Sequence, residues 1–134
     1  MVLKIEIRQG EVPLTVKDTK QLDDALGQAA EEARKRGMLG AVLIEADNGN
    51  VLTMVVGGDE TVLGFDDHDD QNLRCYASRG VSDAHEPIMT CYLAMHHHTE
   101  FSRKNVIPLS DGVKAVRQFL DSGGLPPCIS WEEV

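Results

Sequence analysis

Two β-rich runs, residues 41–46 and 51–56, are separated only by Asp47, Asn48, Gly49 and Asn50. A connection this short, carrying residues that accept positive φ, forces the runs into an antiparallel hairpin. Gly57, Gly58, Asp59 and Glu60 supply a second turn into another extended run at 61–65, so three successive strands are expected to form a meander. Further extended runs follow at 73–78 and from 87 to about 95, and a short closing strand at 128–132 carries Trp131. Ahead of the hairpin, Leu3, Ile5 and Ile7 alternate with Lys4, Glu6 and Arg8, the period-two mark of a strand with one wet face. Residues 12–16 read as a further strand, and Pro13 assigns it to an edge because proline cannot donate to a ladder.

Two stretches switch to helical spacing. Asp18 is a cap with Gln21 three residues on, as in a capping box. Leu22, Ala25, Leu26, Ala29 and Ala33 then share one face, Asp23 and Asp24 fall in the expected first turn, and Arg34, Lys35 and Arg36 precede a stop at Gly37. Acids at the start and bases at the end both complement the helix dipole. A second helix is expected to start near Ser110, to bury Val113, Val116 and Leu120 with Phe119 beside them, and to end at Gly123, Gly124, Pro126 and Pro127. Strand runs flanked by two helices, without regular alternation, predict an α+β fold. One domain over residues 1–134 is expected: a mostly antiparallel sheet with two main helices packed on it. The core must be largely aliphatic, because Trp, Tyr and Phe total only six in 134 residues.

Charge narrows the functional classes. Thirteen Lys and Arg stand against twenty-two Asp and Glu, a net charge of −9. Between Arg36 and Arg74 there is no Lys or Arg, while Glu45, Asp47, Asp59, Glu60, Asp66, Asp67, Asp69 and Asp70 all carry carboxylates. Such a chain is not expected to bind nucleic acid or anionic lipid directly, and it suits a basic partner. The simpler reading, a solvated acidic surface that keeps the chain soluble, stands beside it. Alternate turns of a meander share an end, so Asp47 should lie beside Asp66, Asp67, Asp69 and Asp70, with Asp59 and Glu60 at the opposite end. No stretch reaches the roughly 20 apolar residues that span a bilayer, and the start has no signal-peptide core; a cytoplasmic protein is expected. Cys75, Cys91 and Cys128 are far apart and in no CxxC pairing, which predicts free thiols used as core filler.

Catalytic patterns are weak. There is no GxSxG, no phosphate-cradling glycine loop and no recognisable Cys and His pairing. The charged turn around His68 lacks the glycine and ligand spacing of a calcium loop. Extended backbone would put His96, His98 and Glu100 on one face, which allows the alternative of a small metal-dependent hydrolase; a hydrogen-bonded or exposed strand end is the competing reading. Neither cofactor nor resident metal is expected, and the chain reads as non-enzymatic. A non-catalytic acidic adaptor subunit is the remaining alternative.

The segments DTKQLDDAL at 18–26, VVGGDE at 55–60, YASRG at 76–80, HTEF at 98–101, Ile107-Pro108, VKAVRQFL at 113–120 and PPCISWEEV at 126–134 occur in an order that resembles the immunity proteins of bacterial polymorphic toxin systems. The resemblance is to the family numbered first among them, which has an α+β fold and a characteristic tryptophan near the C-terminus, here Trp131. It covers almost the whole chain. Ser102 stands where the family often has proline, and three histidines precede that motif. The resemblance implies an antidote that binds a cognate toxin domain and occludes its active site; the toxins are often nucleic-acid deaminases. A toxin that approaches a polyanion needs a basic face, so the expected partner-binding residues are Asp47, Asp59, Glu60, Asp66, Asp67, Asp69 and Asp70, with Arg79 and Glu100 as lesser candidates. Trp131, Phe101, Ile107 and Pro108 are expected to anchor the core, and Tyr76, Ser78 and Gly80 to shape a strand end and turn.

Overall fold

The computed structural model describes residues 1–68, 73–82 and 89–134. In chain order the elements are β1 (Leu3–Glu6), β2 (Leu14–Val16), α1 (Thr19–Lys35), β3 (Gly40–Ala46), β4 (Val51–Val56), β5 (Glu60–Thr61), β6 (Leu63–Asp67), β7 (Arg74–Ser78), β8 (Met89–Leu93), β9 (His97–Phe101), a 3-10 turn at Arg103–Asn105, β10 (Ile107–Pro108), α2 (Leu109–Ser122) and β11 (Trp131–Glu133). The main sheet runs β11-β7-β6-β4-β3-β1-β2. β3, β4, β6 and β7 form the meander, each antiparallel to the next. β1 pairs with the second half of β3, while β8 lies parallel to its first half and β9 pairs antiparallel outside β8. The fold is α+β, as its sequence pattern predicts.

Strand alternation decides which side the helices cover. Leu3, Ile5, Val42, Ile44, Leu52, Met54, Leu63 and Phe65 point to one face and meet Leu22, Ala25, Leu26, Ala29 and Ala33 of α1 and Ala115, Val116, Phe119 and Leu120 of α2. Phe65 is the hub: its ring lies 6.0 Å from Phe119, 6.2 Å from Tyr76 and 6.3 Å from Trp131. On the opposite face, Ala41, Val55, Val62, Cys91 and Val106 make a smaller core, with Met89, Leu93 and Phe101 packed against it. Trp131 and Ile107 thus join the core as expected, and the Trp131 indole N–H donates to the Pro126 carbonyl at 2.7 Å. Pro108 is exposed instead, because it serves as the N-cap of α2.

The local signals around α1 act as written. Asp18 accepts from the Gln21 N–H at 2.8 Å, and the Gln21 side chain accepts from Lys17 N–H at 2.8 Å. The helix begins at Thr19, so Asp23 and Asp24 fall after the first turn. α2 begins one residue before Ser110, at Leu109, because a tertiary bond replaces the local cap: the Leu109 N–H donates to the Asp59 carbonyl at 3.0 Å. Gly123 ends it at φ +67°, a left-handed conformation that glycine adopts without a Cβ penalty.

Two expected strands are divided. The 61–65 run breaks at Val62, leaving Thr61 in β5 against β10 and Leu63 in β6. The Thr61 hydroxyl, fully buried, donates to the Val55 carbonyl at 2.7 Å and holds that break. The 87–95 run stops at Leu93, because Ala94 and Met95 take φ of 49° and 59° and turn the chain back into β9; residues 87 and 88 lie outside the described residues. Only Cys91 is core filler: Cys75 is half-buried and Cys128 exposed.

Candidate partner-binding surface

The hairpin end at Ala46–Asn50 is fixed by its own side chains. Gly49 sits at φ +90° and its N–H donates to the Ala46 carbonyl at 3.0 Å; the Asn50 N–H donates to Asn48 Oδ1 at 3.0 Å. The side-chain amides of Asn48 and Asn50 both donate to the Gly123 carbonyl, at 3.0 and 2.8 Å, clamping the hairpin onto the end of α2. Asn50 Oδ1 in turn accepts the His68 N–H at 2.8 Å. That bond ties the end of β6 to the hairpin, so Asp47 shares one end of the sheet with Asp66 and Asp67. Asp69 and Asp70 lie outside the described residues.

Register adds a residue that the turn argument missed. Lys4 pairs with Glu45, Glu45 with Val51, Val51 with Asp66 and Asp66 with Cys75. Facing positions in a ladder share a sheet face, and this row lies on the face away from the helices. Glu45 and Asp66 therefore flank Val51 there, with Glu45 two residues from Asp47 and Lys4 on its other side. The signal was present as alternation, Glu45 standing between buried Ile44 and Ala46, but cross-strand neighbours need the register. The Cys75 thiol is held above its ordinary pKa, first by its hydrogen bond to Asp66, then by burial and the Asp66 charge. Asp67 stands opposite Arg74 in the register.

The remaining candidates lie elsewhere. Asp59 is exposed at the other end of the sheet, its carbonyl accepting from Leu109. Glu60 meets Arg103 at 3.0 Å, which offsets its charge locally. Arg79 sends its guanidinium inward to the carbonyls of Ser82, Lys104 and Gly80, at 2.7, 2.9 and 3.2 Å, and lies 3.9 Å from Glu132. It thereby holds a turn together. Glu100 is exposed on β9, 3.7 Å from His98 Nε2. His96 does not share their face: it lies in the turn before β9, its ring edge-to-face with His97 at 4.9 Å. The three-ligand row expected from an extended chain is lost because Ala94 and Met95 reverse the backbone. Among the described residues, no three His, Cys, Asp or Glu side chains gather as a metal site would require.

The YASRG segment has an architectural role. The Ser78 hydroxyl, fully buried, accepts the Leu63 N–H at 3.0 Å and donates to the Asn105 carbonyl at 2.7 Å. The Asn105 amide donates back to the Ser78 carbonyl at 2.9 Å and to Glu132 at 2.8 Å. Gly80 lets the chain cross so close to residues 104–106 that a Cβ would run into the Val106 carbonyl. The Asn105 bond, with the nearby charges of Lys104 and Arg79, holds the Glu132 carboxyl below its usual range. β7, β11 and the 103–106 segment are thus latched together, at the end of the sheet opposite Asp47, Asp66 and Asp67.

No helix among the described residues is long and apolar enough to cross a membrane. No curated protein matches the chain in sequence. The family model for immunity protein Imm1 matches residues 10–133, a span that takes in the capped helix, the hairpin, the latch and the closing tryptophan strand. A match over that much of the chain shows the family and implies binding of a cognate toxin protein: the chain belongs to the Imm1 immunity protein family.

Proposed function

We propose that this protein neutralises a cognate nucleic-acid deaminase toxin in the bacterial cytoplasm, acting as a single 1–134 unit without catalysis of its own. Its acidic sheet end occupies the basic cleft through which the toxin holds phosphates. The observation that carries this reading is the bond between Asn50 and the His68 N–H, which brings Asp47 and the Asp66-Asp67 pair to one place. Asp69 and Asp70 extend the same acidic run in sequence. Clustered carboxylates attract a cationic groove over a Debye length and accelerate encounter, while a few buried contacts set dissociation. A stable complex of this sort buries about 1,600 Å² in total. Asp59, Glu60, Arg79 and Glu100 are assigned smaller parts, since they lie away from this end or carry internal partners.

Co-expression with the toxin encoded beside it tests the antidote reading: growth is restored only if the protein neutralises that toxin. Stopped-flow association at several salt concentrations tests the surface. Replacing Asp47, Asp66, Asp67, Asp69 and Asp70 together by asparagine should slow association at least tenfold at low salt and flatten its salt dependence. Unchanged association rates would overturn the acidic-end assignment while leaving the antidote reading to the growth assay.

A further inference from the structure

The outer side of β9 carries a self-complementary pattern. β9 pairs with β8 and, among the described residues, with no other strand. The N–H groups of Tyr92 and Ala94 donate towards β3, to the carbonyls of Leu39 at 2.9 Å and Ala41 at 2.8 Å. Backbone direction alternates along a strand, so Cys91 and Leu93 face β9, where they stand opposite Thr99 and His97. It follows that Thr99, His97 and Phe101 use their backbone groups inward, and that His98 and Glu100 turn theirs to the open edge.

The other sheet edges are guarded. β2 is three residues long and preceded by Pro13, and β11 is three residues long and carries Glu132 and Glu133. β9 is longer, five residues HHTEF, and its one carboxylate, Glu100, comes with His98 beside it; it has neither proline nor lysine, two of the devices that natural edges use against pairing.

We propose that two copies of this chain pair antiparallel through β9, about a twofold axis at Thr99. In that register His98 of each copy stands opposite Glu100 of the other, and both outward-facing residue pairs exchange backbone hydrogen bonds. The side chains agree with the backbone. His98 and Glu100 are complementary and exposed, already 3.7 Å apart within one chain. Thr99 meets Thr99 of the second copy, and His97 meets Phe101. A second copy satisfies this pattern because positions equidistant from Thr99 are complementary to each other, which is the requirement of an isologous contact. The inference does not depend on the toxin reading.

A pairing of two short strands buries less than a standard interface, so the dimer is weak, with a dissociation constant on the order of 100 µM. Sedimentation velocity from about 5 to about 500 µM spans that regime and should show reversible dimerisation. His98→Pro removes an outward N–H without touching the β8 ladder, and should leave the protein monomeric with its circular dichroism unchanged. His98→Glu, a substitution at an exposed side chain, sets like charges opposite each other and should weaken the dimer at least tenfold. Combining His98→Glu with Glu100→Lys restores complementarity and should recover it. A protein monomeric throughout the range, a dimer insensitive to His98→Pro, or a failure of the paired exchange to recover what the single change loses would each overturn the proposal.

Discussion

Replacing Ser78 by alanine isolates the latch that joins β7, β11 and the 103–106 segment. The side chains differ by one hydroxyl, so no sizeable cavity forms and the cost is electrostatic. Two backbone groups lose their partner: the Leu63 N–H, bonded at 3.0 Å, and the Asn105 carbonyl, bonded at 2.7 Å. Ser78 is 0% exposed and Asn105 8%, so solvent has little access to take the place of the hydroxyl. A buried group left unsatisfied costs about 1–3 kcal/mol, and two of them give a loss of about 3 kcal/mol. Against a total stability of about 5–15 kcal/mol this is a large fraction, and it lowers the melting temperature by roughly 10 °C. Urea denaturation at neutral pH measures the loss. Amide exchange reads the site itself, because the Leu63 N–H should lose protection well before its neighbours in β6. A change below about 0.5 kcal/mol, within the usual range for a surface substitution, would refute the claim that this hydroxyl satisfies both groups.

Gly27 lies on the exposed side of α1, and a Cβ there would meet nothing within 4 Å. Gly27→Ala should therefore raise stability by up to about 1 kcal/mol, the helix-interior cost of glycine, as read by the denaturation midpoint. The cysteines should separate by reactivity: exposed Cys128, its thiol raised above the ordinary 9.0 chiefly by partial burial, should still react slowly with a thiol reagent at pH 8 in the native state, whereas Cys91, pushed up by burial to about 11, should react only on unfolding. Its folded pKa lies above the ordinary 9.0, so the folded state keeps its proton longer. Stability from this group should be intact below pH 9 and decline as pH rises through 11, and Cys91→Ala should remove that part of the alkaline decline.

Much of the fold was legible because the signals are local. The cap at Asp18, the apolar face from Leu22 to Ala33 and the turn at Asp47–Asn50 each act within a few residues, and each appears in the structure as written. The misreadings share a cause. Ala94 and Met95 adopt left-handed backbone with no glycine to announce it, and His96 leaves the expected ligand row as a result. α2 starts early because its first N–H finds the Asp59 carbonyl, distant in sequence. The internal role of Arg79, a lesser partner-binding candidate, was equally illegible, because the carbonyls that engage its guanidinium include that of Lys104, distant in sequence.

The sequence by itself determined the element types, the α+β class and the uneven charge, since periodicity, turn chemistry and ionisation are properties of short stretches. Tertiary structure decided which charges become neighbours and which are neutralised. Asp47 and Asp66 come together through the β4–β6 pairing and the bond from the His68 N–H to the Asn50 side chain, Glu60 is offset by Arg103, and Glu45 joins the same face through register. Those outcomes depend on pairings between residues far apart in the chain, and only the assembled sheet fixes them.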